Sequence, residues 1–125
     1  MIVLDYKDRR PIYEQVAERL QEVMLLGILE QDEKLPSVRG LAVELSINPN
    51  TIQRAYMELE RQGYIYSVKG KGSFVADVSA AREARLGELK AELGDLAARA
   101  VQLGVGPEDF LKMAGDAYGK AGEKT

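Results

Sequence analysis

Histidine and cysteine are both missing from this 125-residue sequence. Without histidine, the commonest general base, the familiar nucleophilic dyads and triads and nearly all zinc sites drop out. Without cysteine there are no disulfides and no thiolate chemistry, which fits a reducing cytoplasm. No apolar run approaches the roughly 20 residues that a membrane span requires. The opening MIVLDYKDRR lacks the charged-then-apolar texture of an export signal. Internal repeats and low-complexity tracts are absent as well. Enzyme chemistry would have to rest on carboxylates, Lys, Tyr or Ser, and no paired carboxylates stand in a pocket-forming motif. The expectation is binding without catalysis, cofactor, metal or membrane.

What is present is an ordinary globular composition, 46% hydrophobic and 30% charged, able to fill a core. The net charge of −3 argues against nucleic acid only if charge is spread evenly. Residues 1–77 carry ten Lys/Arg and twelve Asp/Glu, or −2, and residues 78–125 carry seven and eight, or −1. Between Ser37 and Gly72 the count is five basic to three acidic, a local excess of +2.

Residues 2–5 suit a short strand or an extended arm. Pro11 stands where a helix can start, and Ile12, Val16, Leu20, Val23 and Met24 then recur at helical spacing until Gly27. A polar connector, Glu30 to Lys34, follows; its acidic side chains could attract a metal but suit a solvated loop better. Pro36 turns its predecessor away from helix and Ser37 can cap a new one, with Val38, Leu41, Ala42 and Leu45 on its apolar face. Gly40 occupies the position where an acid would complete a capping box, which predicts a weaker helix. After the break Ser46-Ile47-Asn48, the Asn48 cap and Pro49 begin a helix with Ile52, Ala55, Tyr56 and Leu59 inward, ending at Gly63. Two short helices about a tight turn have the form of a helix-turn-helix. Tyr64–Val68 and Ser73–Ala76 flank Lys69-Gly70-Lys71-Gly72 as a β-hairpin. Tyr64 and Tyr66 suit packing against helices better than stacking on bases.

After Asp77 the texture is Ala-rich and helical. Leu86, Leu89, Leu93, Leu96, Ala100 and Leu103 form a heptad seam, broken by Gly104–Pro107. A last helix over Glu108–Tyr118 carries Phe110, Leu111, Ala114 and Tyr118, and Gly119–Thr125 read as frayed. The predicted fold is mainly α with a small β-hairpin wing. It comprises a winged helix-turn-helix domain over residues 1–77 and two C-terminal dimerisation helices within 78–125.

Asn50, Gln53, Arg54, Met57 and Arg61 face outward on the second helix of the motif, with Thr51 near its tip. Asn and Gln can pair bidentately with adenine and Arg with guanine, although any surface helix carries such residues. Ser37 and Arg39 open the first helix of the motif. Ser37 serves as a cap, whereas Arg39 opposes the local dipole and gains little there structurally, which favours a phosphate or a guanine edge. Lys69-Gly70-Lys71 at the hairpin tip can reach phosphates or a minor groove, or form a plain exposed turn. The same glycines lack the spacing of a nucleotide-binding loop.

The stretch LPSVRGLAVELSINPNTIQRAYMELERQGYIYSVKGKGSFV resembles the DNA-binding domain of the GntR family of bacterial regulators. The matching positions are Leu35-Pro36-Ser37, Arg39, Leu41-Ala42, Leu45, Thr51-Ile52, Ala55, Leu59, Gly63, Ile65 and the Gly70/Gly72/Phe74/Val75 wing, preceded by Pro11–Gln15. Asn48–Thr51, Arg54–Tyr56 and the short two-helix tail are similar to the YtrA-type branch. The resemblance implies DNA contacts at Arg39, Thr51, the Asn48 turn and Lys69-Gly70. It also implies dimerisation through the C-terminal helices and control of ABC-type transporter genes. Pro49 and Gln53 stand where many members have Arg, and Gly40 where an acid is frequent, so the operator sequence does not transfer.

The resulting expectation is a cytoplasmic homodimer, a repressor by occlusion, binding double-stranded operator DNA at a pseudo-palindromic site. No residue identifies a small-molecule effector. A winged helix serving protein contact would instead show exposed apolar residues on the 49–62 helix, where only Met57 qualifies.

Overall fold

The periodicities and caps just described become five helices and one hairpin in the computed structural model, which describes residues 2–123: α1 (Ile12–Leu25), α2 (Val38–Leu45), α3 (Pro49–Arg61), β1 (Ile65–Val68), β2 (Gly72–Val75), α4 (Ser79–Gln102) and α5 (Pro107–Glu123). The chain divides into two compact units, the first ending at Arg82 and the second beginning at Glu83.

In the first unit the α1 stripe Val16, Leu20 and Met24 packs with Ile52, Ala55 and Leu59 of α3, Leu41 of α2, and Ile65 and Val75 of the hairpin. Leu20, Leu41, Ile52 and Leu59 are completely buried, each contributing about 1.5–3 kcal/mol through removal of apolar surface from water. The two buried glutamines of α1 keep their polar ends satisfied. Gln15 donates to the Arg10 carbonyl at 3.2 Å, and Gln21 donates to Gln62 Oε1 at 2.6 Å, tying α1 to the end of α3. Residues 2–5 form no strand; Ile2 is buried against the core and Leu4 partly so.

Chain direction between the helices is set by their caps. Ser37 Oγ accepts the Gly40 amide at 3.0 Å and Asn48 Oδ1 accepts the Asn50 amide at 2.8 Å. The turn between α2 and α3 is closed by Ser46 in the left-handed region, φ 56°, with the Ile47 amide donating back to the Ala42 carbonyl at 2.9 Å. At the end of α3, Gly63 has φ 84° and the Tyr64 amide reaches the Leu59 carbonyl at 2.9 Å. This double closure favours glycine and aims the chain into the hairpin.

β1 and β2 pair antiparallel with Ile65 opposite Val75 and Val68 opposite Gly72. The Glu30–Lys34 connector is more than a solvated loop. Lys34 bridges to Phe74, the Asp32 amide donates to the Val75 carbonyl at 2.8 Å, and the Leu35 amide donates to the Ser73 carbonyl at 2.9 Å. The connector therefore covers the outer edge of β2, satisfying backbone groups that would otherwise be left open. Asp32 also accepts the Tyr66 hydroxyl at 2.8 Å, and among the described residues no acidic cluster is arranged to hold a metal. Tyr64 packs into the core as expected, whereas Tyr66 lies against Phe74 with ring centroids 5.6 Å apart, away from the helices.

The first turn of α4 belongs to the first unit. Ala81 packs on the core, and the Arg82 guanidinium donates to the Leu25 carbonyl at 2.6 Å, answering an open carbonyl at the end of α1. In the second unit, Leu93, Leu96, Ala100 and Leu103 of α4 face Phe110, Met113, Ala114 and Ala117 of α5 across an apolar groove. Leu111 and Tyr118, expected on that face, are turned to the flank of α5 and are 69% and 82% exposed. The groove follows the spacing 110, 113, 114, 117. Nor is the chain frayed from Gly119 onward: α5 continues through Glu123, where Ala121 and Lys120 favour the last turn. Residues 124–125 of the expected frayed tail lie outside the described residues. Among the described residues no helix is long and apolar enough to cross a membrane.

Candidate nucleic-acid interface

The burial of Ile52, Ala55, Tyr56 and Leu59 fixes which side of α3 is presented to solvent. Asn50, Gln53, Arg54, Met57 and Arg61 are exposed on the opposite side, and Thr51 is half-buried in the first turn. Asn48 spends its side-chain oxygen on the cap, so its part in this surface is to set the start of α3. Pro49 fills the first helical position, where a missing N–H costs nothing.

Arg39 is exposed at the second position of α2, directly after the Ser37 cap. The geometry of α2 against α3 is held by Tyr56, whose hydroxyl donates to the Pro36 carbonyl at 2.7 Å. Burial, reinforced by the nearby Glu44 charge, pushes the Tyr56 hydroxyl up to about 12. A folded-state value above the ordinary 10.0 means that this contribution is complete below pH 10 and is lost as pH climbs toward 12. Tyr56→Phe is expected to cost about 1 kcal/mol in urea unfolding at neutral pH, from the lost hydrogen bond and the orphaned carbonyl. An unchanged midpoint would show that this bond holds nothing.

The outward basic residues are not equivalent. Arg61 folds back on its own helix, its Nε and Nη2 donating to the two oxygens of Glu58 at 3.0 and 2.5 Å. That pairing lowers the Glu58 carboxyl and raises the Arg61 guanidinium. Arg54 instead lies over the Tyr13 ring, its guanidinium carbon 3.9 Å from the centroid. Gln53 leans the other way and, with Met57 and Glu60, borders a shallow concavity closed by Val38 of α2 and Ser67 and Ser73 of the hairpin.

At the wing tip, the Lys71 amide donates to the Val68 carbonyl at 2.9 Å and Gly70 has φ 78°, the arrangement of a type II turn. The turn leaves Lys69 and Lys71 exposed on either side of Gly70. Ser37, Arg39, the α3 face and the wing are thus all carried by the first unit, each on an element anchored in its core.

The profile described as bacterial regulatory proteins, gntR family, matches residues 12–75, just over half of the chain. The chain belongs to the GntR family. Members of this family are DNA-binding transcription regulators, not enzymes. The chain is 44% identical over 77 residues to the HTH-type transcriptional repressor YtrA of Bacillus subtilis, a match covering 62% of this chain and 59% of that protein. It thus spans about three fifths of that relative's length. Among solved structures, a transcriptional regulator from Oenococcus oeni superposes with a TM-score of 0.71 at 31% identity, covering 94% of this chain and 99% of the other. The DNA-binding domain of AraR, in complex with operator ORR3, superposes with a TM-score of 0.53 at 33% identity over 61% of this chain and 92% of that one. The likeness to YtrA supports the YtrA-type expectation.

Two features of this GntR surface were not foreseen in the sequence: the Tyr13–Arg54 stack and the Glu58 clamp on Arg61. The second had a signal, since an acid and an Arg three apart on a helix are neighbours. The first joins residues far apart in the chain and left only the Tyr itself as a trace.

Proposed function

We propose that this GntR regulator is a homodimeric, cytoplasmic repressor that binds a pseudo-palindromic operator in double-stranded DNA and acts by occlusion. The observation that carries the reading is the division of α3 into a fully buried apolar side and an exposed side of Asn50, Gln53 and Arg54, with Met57 as its exposed apolar member. A face of amides and guanidinium suits base edges and phosphates in a major groove, whereas a protein-binding helix would expose apolar anchors. Arg39, in the first turn of α2, reaches a guanine edge or phosphate. Lys69 and Lys71 meet the backbone, and Gly70 permits close approach there. Ser37, Asn48 and Thr51 set and complete the groove-facing ends of the two helices.

Dimerisation is supported by the seam of α4, where Leu86, Leu89, Leu93, Leu96 and Leu103 remain exposed to between 37% and 78%. An apolar stripe of that length calls for a cover, and a second copy supplies one by symmetry. Ala100 is buried beneath that stripe; the α5 residues Phe110 and Ala114 extend it, and Leu111 and Tyr118 adjoin it from the flank. The resemblance of Asn48–Thr51, Arg54–Tyr56 and the short two-helix tail to the YtrA-type branch adds genes of ABC-type transporters as the targets we propose.

The test is a salt titration of duplex binding. With about three phosphate contacts per subunit from Arg54, Lys69 and Lys71, or about four where Arg39 takes a phosphate in place of a guanine edge, the log–log slope for the dimer is expected at roughly −5 to −7. A slope near zero, or no binding, would remove DNA as the partner.

A further inference from the structure

We propose that Tyr13 is a positioning residue for DNA binding, acting through Arg54; the proposal rests on the duplex-binding reading above and adds a residue of α1 to it. Tyr13 is the second residue of α1 and lies outside the helix-turn-helix, yet its ring carries the Arg54 guanidinium 3.9 Å from its centroid. That distance is well inside the roughly 6 Å range at which a cation is held by an aromatic face. Stacking uses the flat face of the guanidinium and leaves its N–H edges free, and those edges are what fork onto a phosphate.

The position of Arg54 on α3 gives the contact its consequence. Asn50, Met57 and Arg61 form the ridge opposite the buried side chains, with Gln53 on the hairpin side and Arg54 on the α1 side. An Arg there has two competing attractions, the Tyr13 ring and Glu58 one turn along. The oxygens of Glu58 accept from Arg61 at 2.5 and 3.0 Å and from Gln62 at 2.6 Å. Gln62 in turn accepts from Gln21 of α1 at 2.6 Å. This chain of bonds occupies the carboxylate and leaves Arg54 on the ring. Tyr13 thereby orders a long side chain before DNA arrives, so that less freedom is lost on binding. It also points the charge at the strand flanking the groove. Arg54 so held contributes a sequence-independent phosphate contact, and base reading falls to Asn50, Gln53 and Arg39.

The test compares the full-length wild type with Tyr13→Phe, Tyr13→Leu, Arg54→Ala and Tyr13→Leu/Arg54→Ala. Binding is read on a mixed-sequence duplex of about 30 base pairs, long enough for two half-sites, at low salt. Arg54→Ala is expected to weaken binding about tenfold or more. Tyr13→Leu is expected to weaken it about five- to tenfold, and Tyr13→Phe, which keeps the ring face, by less than about twofold. In the Arg54→Ala background, Tyr13→Leu is expected to add nothing, the signature of one residue acting through the other. A Tyr13→Leu protein that binds like wild type, or that loses the same factor with Arg54 already removed, overturns the positioning role and leaves the DNA reading standing. Wild type that does not bind the duplex overturns both, and Arg54→Ala that binds equally well overturns the positioning role while leaving the DNA reading standing. Circular dichroism melts of all variants are expected to coincide, and a lowered melting temperature confined to the Tyr13→Leu proteins overturns the proposal in favour of a structural role.

Discussion

Replacing Leu93 and Leu96 together by Asp is expected to halve the solution mass, from two chains to one, while the first unit unfolds at its wild-type midpoint. Both leucines lie on the groove-lining face of α4 and are half exposed in the single chain. Burying a fully exposed leucine contributes about 1.5–3 kcal/mol; with half of each still exposed and the two positions occurring twice in a symmetric dimer, the upper figure is about 3–6 kcal/mol. Placing carboxylates in that seam removes the gain and adds the cost of desolvating charge. Operator affinity is expected to fall by two to four orders of magnitude, because a monomer engages one half-site and loses the linkage to the second, about 10²- to 10⁴-fold. Sedimentation or light scattering measures the mass. A variant that keeps the mass of two chains would move the dimer contact away from α4.

Arg39→Ala is expected to weaken operator binding by about 2–6 kcal/mol without lowering stability. The estimate is one bidentate contact of about 1–3 kcal/mol, counted once for each half-site. Arg39 is exposed at the positive end of α2, where a cation is disfavoured, so its removal leaves the melting point unchanged or slightly raised. Retention of full affinity by the variant would place the first helix of the motif away from the bases.

Much of the first unit was legible because its signals are local. Ser37 and Asn48 cap α2 and α3 as their residue types suggest, Gly63 and Gly70 stand where the chain needs positive φ, and the α3 periodicity named its buried residues correctly. What escaped notice depends on partners distant in sequence. Lys34 pairs with Phe74 across a connector that carries only polarity as a clue, and Tyr13 meets Arg54 between two helices. On α5, Phe110, Met113, Ala114 and Ala117 line the groove, whereas the sequence pattern pointed to Phe110, Leu111, Ala114 and Tyr118; both sets recur at helical spacing, so periodicity does not tell them apart. The glycines at 119 and 122 lower helix propensity by about 1 kcal/mol each, yet the alanines between and before them carry the helix through Glu123. For the nucleic-acid surface, residue types pointed to the chemistry, and the structure ranks them: Arg61 is engaged by Glu58, Arg54 is held by Tyr13, and Arg39 and Asn50 stand exposed at their helix starts.

The central claim, a two-fold reader of DNA sequence, is tested most directly by affinity selection with the wild-type protein from a random duplex library at physiological salt. The account predicts enrichment of a motif with two related half-sites whose centres lie about one helical turn, or a whole number of turns, apart. Enrichment of no motif, with binding uniform across sequences or absent, would contradict it.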